Sequence, residues 1–203
     1  MIQGKGIGFF LPAAVFLPAL LFFTGCTKNE EPSETTTQET EQASAAADAE
    51  TEDSASAPGQ EIEEEGILLR WKVRGRDLEL YLEAPTDGWL AVGFNPSNGM
   101  QDANFIIGYV KDGEMFLRDD FGTWFSSHDS DESLGGTDDV TPVSGSEEEG
   151  VTALAFSIPL DSGDEHDGAI TLGEPTTVLL AYGAKDDYRG MHRKKTKVSV
   201  VFD

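Results

Sequence analysis

The side chains able to hold a metal or carry redox chemistry form a short set: one cysteine, three histidines and four methionines. The only thiol is Cys26, so neither an intramolecular disulfide nor a cysteine-based metal site can form in the folded part. Met100 stands between Gly99 and Gln101 in a polar loop, a poor place for a core gap-filler and a plausible one for a thioether ligand. His192 sits in a basic segment with Arg189, Arg193, Lys194, Lys195 and Lys197, where an imidazole is either solvated or a ligand. The other methionines and histidines are weaker candidates. Met191 adjoins His192, Met115 alternates with Phe116 in a strand pattern, and His128 and His166 lie in acidic loops. The run Asp129, Asp131, Glu132, Asp138 and Asp139 could chelate calcium through its carboxylates. It lacks the glycine of an EF-hand loop, so a solvated acidic loop is the better reading. There is no Gly-x-Ser-x-Gly elbow, His-Glu-x-x-His pair or glycine-rich nucleotide loop.

Three regions position these residues. Lys5 precedes an apolar run from Ile7 to Phe23, which ends at Phe23-Thr24-Gly25-Cys26. This resembles a loose bacterial lipobox, and the resemblance implies a signal peptide over residues 1–25 and lipidation of Cys26. The alternative, an uncleaved membrane helix, is weakened by Pro12 and Pro18. Residues 26–60 are acidic and small, with no aromatic residue and no Ile, Leu or Val. Such a segment cannot offset its ordering entropy by burial, so it reads as a disordered tether. The expected address is the cell envelope: a lipid anchor to a bacterial membrane, with the remainder facing the periplasm or exterior. The net charge of -24 excludes a simple nucleic-acid binder, because a phosphate backbone would be repelled.

Residues 61–203 read as one all-β domain. Leu69, Trp71 and Val73 alternate with charged residues, and Leu78, Leu80 and Leu82 do so after Gly75-Arg76. A two-residue turn there pairs Val73 with Leu78, Trp71 with Leu80 and Leu69 with Leu82, with Lys72 opposite Glu79 on the other face. A one-residue slip would set charges against leucines. Further strands are expected over 89–94, 105–110, 114–118, 140–144, 151–158, 177–182 and 197–202. No window of helical length carries a 3.6-residue period. Short strands with frequent turns mean an antiparallel β-sandwich.

The stretch from Gly88 to Asn95, then Gly99-Met100, then Ala103 to Val110, resembles the DOMON family. Asp119-Asp120, Ser144 to Glu147, Pro159 to Asp164, and Leu180 to Gly183 leading to Tyr188 and His192 extend the likeness in order over Gly66 to Asp203. The resemblance implies an immunoglobulin-like sandwich. In the family's cytochrome members, such as the haem domain of cellobiose dehydrogenase, that sandwich holds haem b between a Met and a His, and Met100 and His192 match those positions. Two such axial ligands leave the iron no open site and favour outer-sphere electron transfer. The basic side chains around His192 would then pair with the haem propionates and dock an acidic redox partner; equally, they are edge charges that block sheet aggregation. The expected function is therefore a membrane-anchored haem b electron-transfer module, not itself an enzyme, working beside a redox protein. Other family members lack haem, and some are regarded as sugar-binding modules. The alternative is accordingly a haem-free binder of a carbohydrate or small ligand, with Trp89, Tyr109, Trp124 and Phe125 as a stacking platform.

Overall fold

The computed structural model describes residues 59–203. The expected signal peptide, Cys26 and all but the last two residues of the expected tether lie outside the described residues. No helix among the described residues is long and apolar enough to cross a membrane.

Eleven strands and one short helix follow in order: β1 (Gln60–Glu64), β2 (Ile67–Arg74), β3 (Asp77–Ala84), β4 (Leu90–Phe94), β5 (Asn104–Lys111), β6 (Glu114–Trp124), β7 (Ser127–Ser130), α1 (Asp131–Leu134), β8 (Thr141–Glu148), β9 (Val151–Pro159), β10 (Pro175–Gly183) and β11 (His192–Val201). They build two antiparallel sheets, ordered β1-β2-β3-β9-β8 and β11-β10-β4-β5-β6-β7. The β2–β3 hairpin has the register its alternation requires, with Val73 opposite Leu78, Trp71 opposite Leu80 and Leu69 opposite Leu82. Gly75 supplies the positive φ of 66° that a type II′ turn needs at its first central position.

The core between the sheets takes alternate residues from β2, β3, β4, β5, β9, β10 and β11, as period-two geometry demands. Leu69, Leu78, Leu82, Leu90, Val92, Phe94, Ile106, Leu154, Phe156, Leu180 and Phe202 are almost fully buried. Each such side chain contributes roughly 1.5–3 kcal/mol of burial free energy before entropy is counted. Phe202 packs edge-on against both Trp71 and Phe94, tying the chain's end into this core.

The sheets differ from expectation mainly at strand ends. β6 runs to Trp124, β8 to Glu148, and β11 begins at His192, so His192 opens the last strand instead of preceding it. β1, β7 and α1 carry charged and polar sequences with no alternation to reveal them; β1 and β7 form because β2 and β6 offer hydrogen-bonding edges, and α1 is a single turn closed by Gly135 in the left-handed region. All five residues of β4 are buried, and six of the first seven of β5. A two-layer sandwich would leave one face of each exposed, so something covers the outer face of the six-stranded sheet.

Candidate functional site

The outer face of the six-stranded sheet is roofed by loops, and between roof and sheet lies a cavity of about 750 Å³. That volume is in the range of small-molecule and cofactor sites. The register explains its floor. Residues directly opposite each other share a face, giving one row Lys197, Leu179, Gly93, Phe105, Asp120 across five strands and a second row Lys195, Ala181, Ala91, Ile107, Arg118. The middle of each row is small or apolar. One end is basic, and the other carries an acid and a base. The cavity therefore lies outside the sandwich, not in the gap between its sheets.

Met100 and His192 both line this cavity. Met100 is half-buried in the β4–β5 loop, and that loop is bolted to the end of β6. The Met100 N–H donates to the Phe125 carbonyl at 3.0 Å, the Gly122 N–H to Ala103 at 2.8 Å, and the Asp102 N–H to Gly122 at 2.8 Å. The contact is so close that a Cβ on Gly122 would lie 1.7 Å from the Met100 carbonyl oxygen. Gly99 turns the chain into Met100 with φ at 65°, where its own Cβ would strike Phe125. His192 is exposed at the start of β11, an edge strand, beside a register shift at Tyr182/Gly183. Arg189, Lys195 and Lys197 line the same side. Lys194 instead pairs with Glu65 at 2.7 Å, both about half-exposed.

His128 also lines the cavity, although its acidic loop context gave no sign of this. It sits in β7, and its Nδ1 bonds to the buried carboxylate of Asp120, which Arg118 also grips with two nitrogens, Nη2 at 2.6 Å. Burial pushes the Asp120 carboxyl up, but hydrogen bonds from His128 and Arg118 outweigh it and hold the group below the ordinary carboxylate range. An ionised Asp120 can only accept, so Nδ1 of His128 is the donor and Nε2 is the ring nitrogen not engaged with it. Arg118 lies over the Tyr188 ring, 4.4 Å from its centroid, and Tyr188 packs on Tyr109 at 5.0 Å.

The four aromatics expected as a stacking platform do not share one surface. Trp89 is buried and lines the cavity, while Tyr109 packs between Phe116 and Tyr188. Phe125 lines the cavity at 56% exposure, and Trp124 beside it is 67% exposed. The Trp89 Nε1–H is buried without an acceptor. A buried donor in a cavity wall is satisfied when a ligand brings an acceptor.

In the acidic run, Asp129, Glu132 and Asp138 are exposed as expected, and Asp131 is the exception. Asp131 is fully buried, not solvated. It approaches Asp119 and Asp167 on one side, and Asp164 with His166 on the other. His166, like His128, thus has a carboxylate neighbour, Asp164 at 3.3 Å.

A family model for the DOMON domain matches residues 63–183, which include Met100 and stop short of β11 and His192. Among curated proteins, the chain is 29% identical over 127 residues to MOXD1 homolog 2 of Drosophila melanogaster, covering 62% of this chain and 16% of that protein. It is 28% identical over 118 residues to DBH-like monooxygenase protein 1 of Mus musculus, covering 58% and 18%. The matched region is thus less than a fifth of either relative. Among solved structures, the fold is similar to the cytochrome b domain of pyranose dehydrogenase from Coprinopsis cinerea, with a TM-score of 0.54 at 11% identity over 70% of this chain and 80% of that one. It is also similar to the cytochrome domain of Myriococcum thermophilum cellobiose dehydrogenase, with a TM-score of 0.52 at 12% identity over 71% and 81%.

Proposed function

Since the chain belongs to the DOMON domain family, we propose that its outer-face cavity takes up haem b through Met100 and His192 and serves single-electron transfer. The observation that carries this reading is the shared cavity: a thioether and an imidazole from remote parts of the chain line one space of about 750 Å³. The apolar floor of Ala91, Ile107, Leu179 and Ala181 suits a flat hydrophobic macrocycle. Arg189, Lys195, Lys197 and the unpaired Trp89 N–H suit its carboxylates. Bound there, the group would cycle between two iron oxidation states. The chain's own part is to hold the ligands, exclude water with the loop roof and present a basic edge to a redox partner. No turnover of substrate is assigned to the domain. Lipidation at Cys26 would tether it to a bacterial membrane, facing the periplasm or exterior, beside the oxidoreductase it serves.

The test is the visible spectrum of the purified full-length protein supplied with haem, oxidised and reduced. A low-spin Soret band with sharp reduced bands is the expected result, and a folded chain that stays colourless overturns the reading. Met100→Leu lowers the reduction potential, since a Met ligand raises it; an unchanged potential removes Met100 from the assignment. His128 is the competing imidazole, because Asp120 gives it the carboxylate partner that metal-bound histidines commonly have. Loss of the low-spin spectrum in His192→Ala but not in His128→Ala settles the choice for His192, and the reverse settles it for His128. The second reading, a haem-free carbohydrate or small-ligand site, is favoured by Phe125 standing half-exposed in the cavity wall. A colourless protein that binds a glycan through Phe125 establishes it.

A further inference from the structure

Adjacent residues of a strand face opposite sides of the sheet. Asp120 shares the outer-face row with Phe105, whereas Asp119 pairs with Ile106 and points inward. At that end of the inner face, three carboxylates meet. Asp119 comes from β6, Asp131 from the start of α1, and Asp167 from the β9–β10 connection, with oxygens all within 4.8 Å of one another. Asp119 is 2% exposed and Asp131 0%.

What marks this cluster as built for a ligand is its unpaired oxygens. Neither carboxylate oxygen of Asp131 has a hydrogen-bond partner, and nor does Oδ1 of Asp119. The remaining oxygens are held in place: Asp119 Oδ2 accepts the Asp139 N–H at 3.3 Å, and Asp167 accepts Asn104 Nδ2 at 2.5 Å and Ser162 Oγ at 2.7 Å. Leaving a buried carboxylate oxygen unpaired costs more than leaving a neutral group so. Three such oxygens, two on Asp131 and one on Asp119, lie in a cluster with Asp167, an arrangement that a cation would satisfy. Burial and the surrounding carboxylates push Asp119 up to about 9 and Asp131 up to about 7. Asp164, Asp138 and Asp139 add further negative charge, and His166 is the one group among the leading influences that favours an ionised Asp131.

We propose that Asp119, Asp131 and Asp167 bind a calcium ion that pins α1 and the β9–β10 connection onto β6. Calcium takes six to eight oxygens at about 2.3–2.6 Å, so two ligands on opposite sides of one ion are about 4.8 Å apart. The observed cluster fits within that limit. An all-oxygen carboxylate set selects a hard cation over zinc or copper. The ion stabilises the strand that carries Asp120, and through it Arg118 and His128, so the cavity wall is stiffened from behind.

The experiment uses the full-length protein without haem, stripped with EDTA and titrated with calcium chloride at pH 7, read by thermal unfolding and by calorimetric binding. Wild type binds one equivalent, and its melting temperature rises by roughly 5–10 °C at saturation. Asp131→Asn keeps the shape but removes a charged ligand; it melts no lower than wild type in EDTA and loses the calcium shift. Glu148→Gln, at the exposed end of β8, keeps it. A wild-type protein with no binding heat and no calcium shift, or an Asp131→Asn protein that responds as wild type does, overturns the proposal.

Discussion

Replacing Gly122 by alanine tests whether the loop bearing Met100 is held as described. The added Cβ would sit 1.7 Å from the Met100 carbonyl oxygen and 2.8 Å from its carbon. Ordinary contact between heavy atoms needs about 3.5 Å, so the loop and β6 must separate by roughly 1.5–2 Å. Neither partner is a side chain that can swing away; both are backbone. The bonds Gly122 N–H to Ala103 and Asp102 N–H to Gly122, each 2.8 Å, cannot survive that separation. At about 1 kcal/mol net for each bond, plus the cost of groups left unpaired beside a buried residue, the loss is about 3 kcal/mol. For a domain of this size that lowers the melting temperature by roughly 10 °C. Urea unfolding monitored by tryptophan fluorescence measures it, with an unchanged m-value showing that the transition remains the same one. In the haem-loaded protein the low-spin spectrum should also weaken, because the thioether has moved. A Gly122→Ala protein within 0.5 kcal/mol of wild type refutes the reasoning outright.

Three other outcomes follow from the same structure. Phe202→Ala, removing a fully buried ring packed on Trp71 and Phe94, should cost about 3–5 kcal/mol in the same urea assay while leaving the haem spectrum of the folded fraction intact. Asp120→Asn withdraws the charge that holds Arg118 and His128; because Arg118 is a quarter exposed, the loss should be nearer 2 kcal/mol than the value for a fully buried pair, as chemical denaturation will show. In EDTA, the raised Asp131 and Asp119 keep protons in the folded chain that the unfolded chain releases near pH 4. The unfolded state therefore binds fewer protons above pH 4, and stability falls as pH rises towards about 7 and then 9. Saturating calcium should flatten that decline in a melting-temperature series from pH 5 to 9, and a series equally flat in EDTA contradicts the burial of the cluster.

The likeness to monooxygenase relatives spans less than a fifth of each, so it assigns none of their activity to this chain. What the comparisons show is the DOMON domain and its β-sandwich fold. The use proposed for this chain rests on the residues that line its own cavity, among them Met100, Phe125, His128 and the basic end of β11.

Local pattern sufficed wherever one face of a strand is buried and the other is wet. The alternation of leucines and charges from Leu69 to Glu83 leaves a single register, because a slip of one residue inverts every side chain. The proximity of Met100 and His192 was legible only through family resemblance, since neither residue carries a periodic signal. The role of His128, the opposite directions of Asp119 and Asp120, and the burial of Asp131 were not legible at all. Each depends on which remote strand or loop lies alongside, and acidic residues in a loop look the same in sequence whether water or other carboxylates surround them. Alternation fixes what a strand turns inward; only the closed fold determines what covers its other side.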